Sequence, residues 1–281
     1  MKVISIILFV IFNDRLSCAL YLNEDINSYI INGIEAIPNS FPWQCGLIVY
    51  SQPFHDLTVS STCGGSILSR NFVLTSAFCL QGSEYTLVIA GAHRIFEIEE
   101  TQQRFHVEKN SYIIHPEFIR EFLHNDIALM KLGKSLIFNN FVQAIKLPSE
   151  KFSTYNFIGE KTQIAGWGRF SDWTGDASEV LRVTRNHVVD NEKCHERFGI
   201  LTSNRTMCLE TLQFQSSSCR GDQGSPVVWE NENSDKVIIG VVSFGIWIFN
   251  FGCDPTGNLF IPTVNTNINY FIPWIRLYIN N

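Results

Sequence analysis

Two short stretches of this 281-residue chain hold the residues that could do chemistry: VLTSAFC at 73–79 and SCRGDQGSP at 218–226. In the second, Gly221 and Gly224 enclose Asp222 and Gln223 in a turn that presents a side chain. The Gln223 carboxamide is not a nucleophile at any useful pH, nor a group that a base turns into one. In the first, Phe78 has no exchangeable proton to give or take. Asp126 opens the apolar run DIALMKL. His124 stands two residues before it, and His55 and His93 lie on loops, yet a base without a nucleophile does not make acyl transfer. Ser225 is the hydroxyl nearest to Gln223.

The elements that must position these residues are mostly strands. FPWQCGLIVY, CGGSILSRNFVLTSA, EYTLVIAGA, DIALMKL, KTQIAGWG, SPVVWE and KVIIGVVSFG are short, rich in Val, Ile and aromatics, and bounded by Gly, Asn, Ser or Asp. They predict an all-β chain. At its end, NYFIPWIRLYI places Phe271, Trp274, Ile275 and Tyr278 at helical spacing, which predicts one amphipathic helix with Pro273 in its first turn.

Lys2 is followed by Val3–Phe12, apolar but for Ser5 and too short to span a bilayer, so residues 1–19 read as a secretory signal cut after Ala19. Of the 8 cysteines, Cys18 leaves with that signal, and the odd number remaining requires at least one thiol without an internal partner. An oxidising compartment favours bridges among the others. A formal net charge of −6, without a basic cluster, argues against nucleic acid or an anionic membrane as partner. The NRT sequon at Asn204 is a candidate glycosylation site.

Taken together, IINGIEA at 30–36, CGGSIL and VLTSAFC at 63–79, NDIALMKL at 125–132, AGWG at 165–168 and CRGDQGSP at 219–226 resemble the trypsin/chymotrypsin serine-protease family. The wording is nearest to arthropod chymotrypsin-like and collagenolytic enzymes, and the resemblance spans about residues 30–278. It implies two packed antiparallel β-barrels with a C-terminal helix, in halves of roughly 30–150 and 151–281, after a short propeptide at 20–29. Phe78, Asp126 and Gln223 then stand at the triad's histidine, aspartate and serine positions, in the order of the chymotrypsin template. On these replacements the chain is expected not to be an enzyme.

The same resemblance assigns further roles. Gly221 and Gln223 keep the backbone donors of an oxyanion hole, and Ile30 with Asp222 form the zymogen switch, although Tyr29 precedes the cut where relatives carry Arg or Lys. Ser217 stands at the base of a neutral pocket bordered by Arg220, Ser243, Phe244 and Gly245. Trp247 and Phe249 sit in a lengthened loop at 246–252 that either plugs this pocket or forms an exposed apolar patch. Three bridges are implied, Cys63–Cys79, Cys194–Cys208 and Cys219–Cys253, which leaves Cys45 as a buried thiol. The segment 92–102, where relatives hold calcium, has Ala92 and Gln102 in place of carboxylates and keeps Glu99, so no metal is expected, and no cofactor. Asp126 is expected to rely on Ser243 and backbone N–H groups, with a raised pKa.

The function expected is that of a secreted family member that binds a protein, as decoy, scaffold or modulator of a proteolytic cascade of immune or complement type. A weak or unusual chymotrypsin-like endopeptidase, and a glycan- or lipid-capturing module unrelated to proteolysis, are the alternatives.

Overall fold

The computed structural model describes residues 33–54, 57–169, 177–211, 217–245, 248, 253 and 262–279. The leader, Ile30, His55, Trp247 and Phe249 lie outside the described residues, and so does the alternative of a plugged or open 246–252 loop.

The first sheet contains β2 (Gln44–Phe54), β3 (Leu57–Ile67), β4 (Phe72–Thr75), β5 (Tyr85–Ala90), β6 (Gln103–Glu108), β7 (Tyr112–Ile114) and β8 (Ala128–Lys131). Its order is β6-β5-β2-β3-β4-β8-β7, and every pairing is antiparallel. The second contains β1 (Ile34–Glu35), β9 (Lys161–Gly166), β10 (Arg182–Val189), β11 (Thr206–Thr211), β12 (Pro226–Glu230), β13 (Lys236–Phe244) and β14 (Thr263–Asn267). Its order is β1-β10-β11-β14-β13-β12-β9, and a β10–β9 pairing closes it into a barrel. The all-β expectation with two antiparallel barrels is what the chain adopts.

Alternation along β2 shows how the sequence builds this. Cys45, Leu47 and Val49 point into the first barrel beside Ile67, Val73, Val88 and Met130. The intervening Gly46 faces the seam, where a Cβ would come within 2.5 Å of Ile95 and 3.4 Å of Trp167. The second barrel is filled by Ile164, Met207, Leu209, Val227, Trp229, Ile239 and Val242. Ile89, Ile95, Ala165, Trp167, Leu181 and Val183 cement the two barrels together.

Three helices complete the described chain: α1 (Ala77–Leu80), α2 (Asn191–Phe198) and α3 (Ile272–Ile279). Helix α3 is the predicted C-terminal helix, with Pro273 as its second residue. It seats Ile272 and Ile275, with Phe271 just before it, against Trp43, Leu68 and Phe72 of the first half and Ile238 and Val241 of the second. Strand β1 pairs with β10, so both ends of the domain lie across the seam rather than within one half.

The bridges are Cys63–Cys79, Cys194–Cys208 and Cys219–Cys253. Each adds on the order of 2–4 kcal/mol by restricting the unfolded chain. Cys45 is a buried free thiol whose pKa burial pushes far up, so it behaves as a small apolar side chain.

Candidate functional site

The seam opens into a cleft of about 1000 Å³ lined by both barrels. Phe78 enters it from α1. Ser76 caps that helix by accepting the N–H of Cys79, and the Cys63–Cys79 bridge ties it to β3. The Phe78 ring is 41 % exposed, so it forms a wall of the cleft rather than part of the core. The Arg120 guanidinium lies 5.0 Å from the ring centroid.

Behind this ring lies Asp126, fully buried just before β8. Its Oδ2 accepts the Ser243 hydroxyl at 2.6 Å and its Oδ1 accepts the Phe78 N–H at 2.7 Å. Burial pushes its pKa up to about 6, against the pull of Ser243, the Phe78 and Ala77 N–H groups and the Arg120 charge. The Thr266 hydroxyl donates to the Asp126 carbonyl at 2.8 Å and so locks the carboxylate's own backbone to β14.

The turn before β12 carries Gln223. Gly224 has φ +85°, and a Cβ there would meet the Thr75 hydroxyl at 2.1 Å and the Gly64 carbonyl at 2.3 Å, so only glycine fits. The Gln223 carbonyl accepts the Gly64 N–H at 2.7 Å, and the Gly224 N–H donates to Val242 at 2.8 Å. This clamps the turn to both barrels. The side chain does something the sequence does not reveal: Gln223 Oε1 accepts the Gly221 N–H at 2.8 Å. A carboxamide oxygen thus sits on the donor that the resemblance gives to an oxyanion. Ser225 points away, buried, with its hydroxyl accepting from Gln44 Nε2 at 3.2 Å.

Asp222 is also fully buried. It accepts the Gly168 N–H on Oδ1 and the Cys219 N–H on Oδ2, both at 2.8 Å, and burial pushes it up to about 6 against those two bonds. A Cβ on Gly166 or Gly168 would stand 2.1 Å or 2.5 Å from this carboxylate. Its expected partner, the Ile30 amine, is outside the described residues.

Among the remaining predicted pocket residues, Ser217 is buried and turns its hydroxyl onto the Ser218 carbonyl at 3.0 Å. Phe244 packs edge-on against Phe198, centroids 5.4 Å apart, and Gly245 is buried beside it. Ile248 packs on both Phe244 and the Cys219–Cys253 bridge. Arg220 lines the cleft with Ser243 and Gly221. Neither described candidate base reaches Gln223: His93 Nε2 meets Glu35 Oε1 at 2.9 Å, and His124 Nε2 meets the Ile200 carbonyl at 2.9 Å.

In the 92–102 segment, Glu99 Oε2 accepts the N–H groups of His93 and Arg94 and the Gln102 amide, at 2.8, 2.9 and 2.9 Å. Although burial acts to raise it, these bonds hold its pKa below the usual range. The Gln102 amide thus supplies an internal donor to this carboxylate. Asn204 is exposed on a turn before β11. Sequence reasoning missed Arg120 and Arg169, which face this cleft. Arg169 follows directly on AGWG, and that adjacency was the available signal.

The trypsin family model matches residues 30–275. A chymotrypsin from Phaedon cochleariae is 30 % identical over 89 % of this chain and 82 % of its own. Brachyurin from Leptuca pugilator is 30 % identical over 88 % of this chain and 97 % of its own. Mouse cathepsin G is 33 % identical over 92 % and 88 %. A solved Hl collagenase superposes with a TM-score of 0.74 at 28 % identity, covering 89 % of this chain and 99 % of that one.

These matches overturn the expectation that the chain is not an enzyme, because the proteins it matches over nearly its full length carry the names of proteases. The physical reason lies in how much was inferred from two side chains. Loss of triad members removes proton transfer and nucleophile, but roughly 10³–10⁴ of rate enhancement over water survives without them in the template, and here the share that needs the Gly221 N–H requires Gln223 Oε1 to move off it. Phe78 and Gln223 therefore do not by themselves decide the class. With the family model and the relatives spanning both barrels, the chain belongs to the trypsin family of serine proteases.

Proposed function

We propose that this chain is secreted and acts by holding an extended protein segment in its cleft, modulating a proteolytic cascade as a competitor or scaffold for its components. Members of the trypsin family meet proteins as substrates or inhibitors, and the reading draws on the cleft lined here by Phe78, Gln223, Ser243 and Phe244. The observation that carries the reading is the Gln223–Gly221 contact: the side chain at the turn's apex is engaged as a hydrogen-bond acceptor, in the place of a bound carbonyl. Phe78, walled against Arg120, offers apolar contact at the same place. The bridged domain and the absence, among the described residues, of a helix able to cross a membrane accord with secretion. Glycosylation at the exposed Asn204 belongs to the same proposal.

The test adds purified protein to a reconstituted trypsin-like cascade and follows product with time. A dose-dependent change in lag or rate supports the reading; a flat response from folded protein overturns it. A second reading, slow chymotrypsin-like cleavage of the held segment, draws on the relatives named chymotrypsin and brachyurin and on the uncharged Ser217. Mass spectrometry of a bound peptide after long incubation decides it: new termini after large apolar residues support cleavage, and an intact peptide overturns it.

A further inference from the structure

Among the described residues, the charge lining the cleft runs against that of the chain. The whole sequence has 27 acidic and 21 basic residues. Around the cleft the described charged residues are Arg120, Arg169 and Arg220, against a single Glu121. Arg120 comes from the segment before β8 and lies over the Phe78 ring on the first-barrel side. Arg169 and Arg220 come from two second-barrel loops locked together by the Arg169 N–H on the Arg220 carbonyl at 2.7 Å. Positive charge thus comes to the cleft from both barrels.

We infer that the segment held in this cleft is an acidic polypeptide in extended conformation, whose carboxylates meet arginines of both barrels. The inference rests on the cleft-binding reading above and names its partner class. Guanidinium forks bind carboxylates in pairs of parallel hydrogen bonds and hold their charge at all working pH. Low-dielectric cleft walls strengthen that attraction relative to open surface. A polypeptide suits the site better than another polyanion for two reasons. Phe78, Phe96, Leu123 and Ile248 give the same cleft apolar walls that alternate side chains can fill. The overall charge of −6 repels a uniformly charged polymer but not a short segment that places a few carboxylates at the arginines.

The experiment uses the purified chain and two fluorescein-labelled decapeptides, one alternating Glu with Phe or Val, the other with Gln for every Glu. Fluorescence anisotropy is read at 50 and 300 mM NaCl, alongside a sulfated heparin fragment. The expected result is at least tenfold tighter binding of the Glu peptide at low salt, most of it lost at high salt. The combined variant R120Q/R169Q/R220Q, with an unchanged melting temperature, removes the preference, and R169Q alone reduces it about threefold. If both peptides bind equally, the acidic preference is wrong while cleft binding stands. If neither binds, the cleft-binding reading fails as well. A preference that survives the combined variant places the acid-binding surface elsewhere and overturns the inference. Should that variant fail to fold, R169Q carries the same decision. Tighter binding of heparin with the same arginine dependence replaces the polypeptide by another polyanion.

Discussion

Asp126 and Asp222 are two carboxylates of one cleft, both completely buried and both pushed to about 6. What separates them is who holds them. Asp222 has two backbone N–H groups as its described partners, and Gly166 and Gly168 approach it so closely that a Cβ on either would collide with the carboxylate. Asp126 is held by the Phe78 and Ala77 N–H groups and also by a hydroxyl, and a hydroxyl rotates to give or to accept. Equal burial therefore conceals unequal tolerance. A place that has an adaptable partner survives the arrival of Phe78, whereas the Asp222 cradle admits one side chain only.

The largest effect expected from this pair is on stability against pH. A carboxylate raised from 3.8 to about 6 costs roughly 3 kcal/mol when ionised in the fold. Between about pH 4 and pH 6 the native state binds more protons than the unfolded one, so the contribution of each acid is full below pH 4 and is lost as pH rises through 6. Lowered groups such as Glu99 work in the opposite sense, so urea midpoints of the wild type minus those of D126N isolate the Asp126 share. The difference should open steadily from pH 4 to 6.5; a flat difference would show that Asp126 titrates normally.

Next in size is Asp222→Asn. Its amide must direct one N–H at the N–H of Gly168 or Cys219, leaving a buried donor without a partner. A loss of about 2–3 kcal/mol is expected at pH 4, where the native acid is protonated and no buried charge is relieved, read by urea unfolding with bridges intact. An unchanged midpoint would mean that the cradle opens. Supplying a positive charge instead sharpens the comparison: if chain cut after Tyr29 inserts the Ile30 amine at Asp222, the Asp222 share of the pH dependence disappears, and the Asp126 share stays. Chymotrypsin-nicked and intact protein compared over pH 5–8 would decide this.

Asp126→Asn is expected to change stability by less than about 1 kcal/mol at pH 4, where the native acid is protonated, because Ser243 can turn to accept from the new amide. A loss as large as that of Asp222→Asn would erase the distinction drawn here. Phe78→His tests the same carboxylate from the other side. An imidazole gives Asp126 a further donor, and the imidazole's own pKa, followed by NMR of its ring protons, should then rise above 6.5. A value at or below 6.5 would show that a ring at this position does not reach the acid.

Much of this was legible in the sequence, and the reasons differ from place to place. KVIIGVVSFG and DIALMKL announced strands because their apolar runs are continuous, and the bridges and Asp126 followed from motif resemblance. Strands β6, β10, β11 and β14 did not announce themselves. Their sequences QRFHVE, RVTRNHVV, TMCLET and TVNTN mix polar residues throughout, and the structure buries several of these, with Thr184, Asn186, Thr263 and Asn265 on the same strand faces as the second-barrel core residues Val188, Met207 and Leu209. No periodicity of hydrophobicity marks a strand whose inward face is Thr and Asn. The Gln223 side chain was equally silent, since residue type says that a carboxamide can accept a bond but not which N–H it finds. The opposite error came from trusting type too far, when two replaced side chains were allowed to decide the enzyme class against the rest of the domain.

The smallest effect expected concerns a third acid, and it completes the comparison. Glu99 is only partly buried, takes three donors on one oxygen, and is lowered rather than raised. The contrast with Asp126 and Asp222 comes from solvent: where water still reaches the carboxylate, the desolvation penalty is small enough for three hydrogen bonds to outweigh it. Because the Gln102 amide already closes this loop, calcium has little left to neutralise. Melting temperatures with 5 mM calcium and with excess EDTA should agree within about 1 °C, while Gln102→Glu, which sets a second carboxylate against Glu99, should lower the EDTA value and make it recover with calcium. Calcium stabilisation of the unaltered chain would show that the amide does not do the cation's work, and that the three acids are not ordered by solvent access alone.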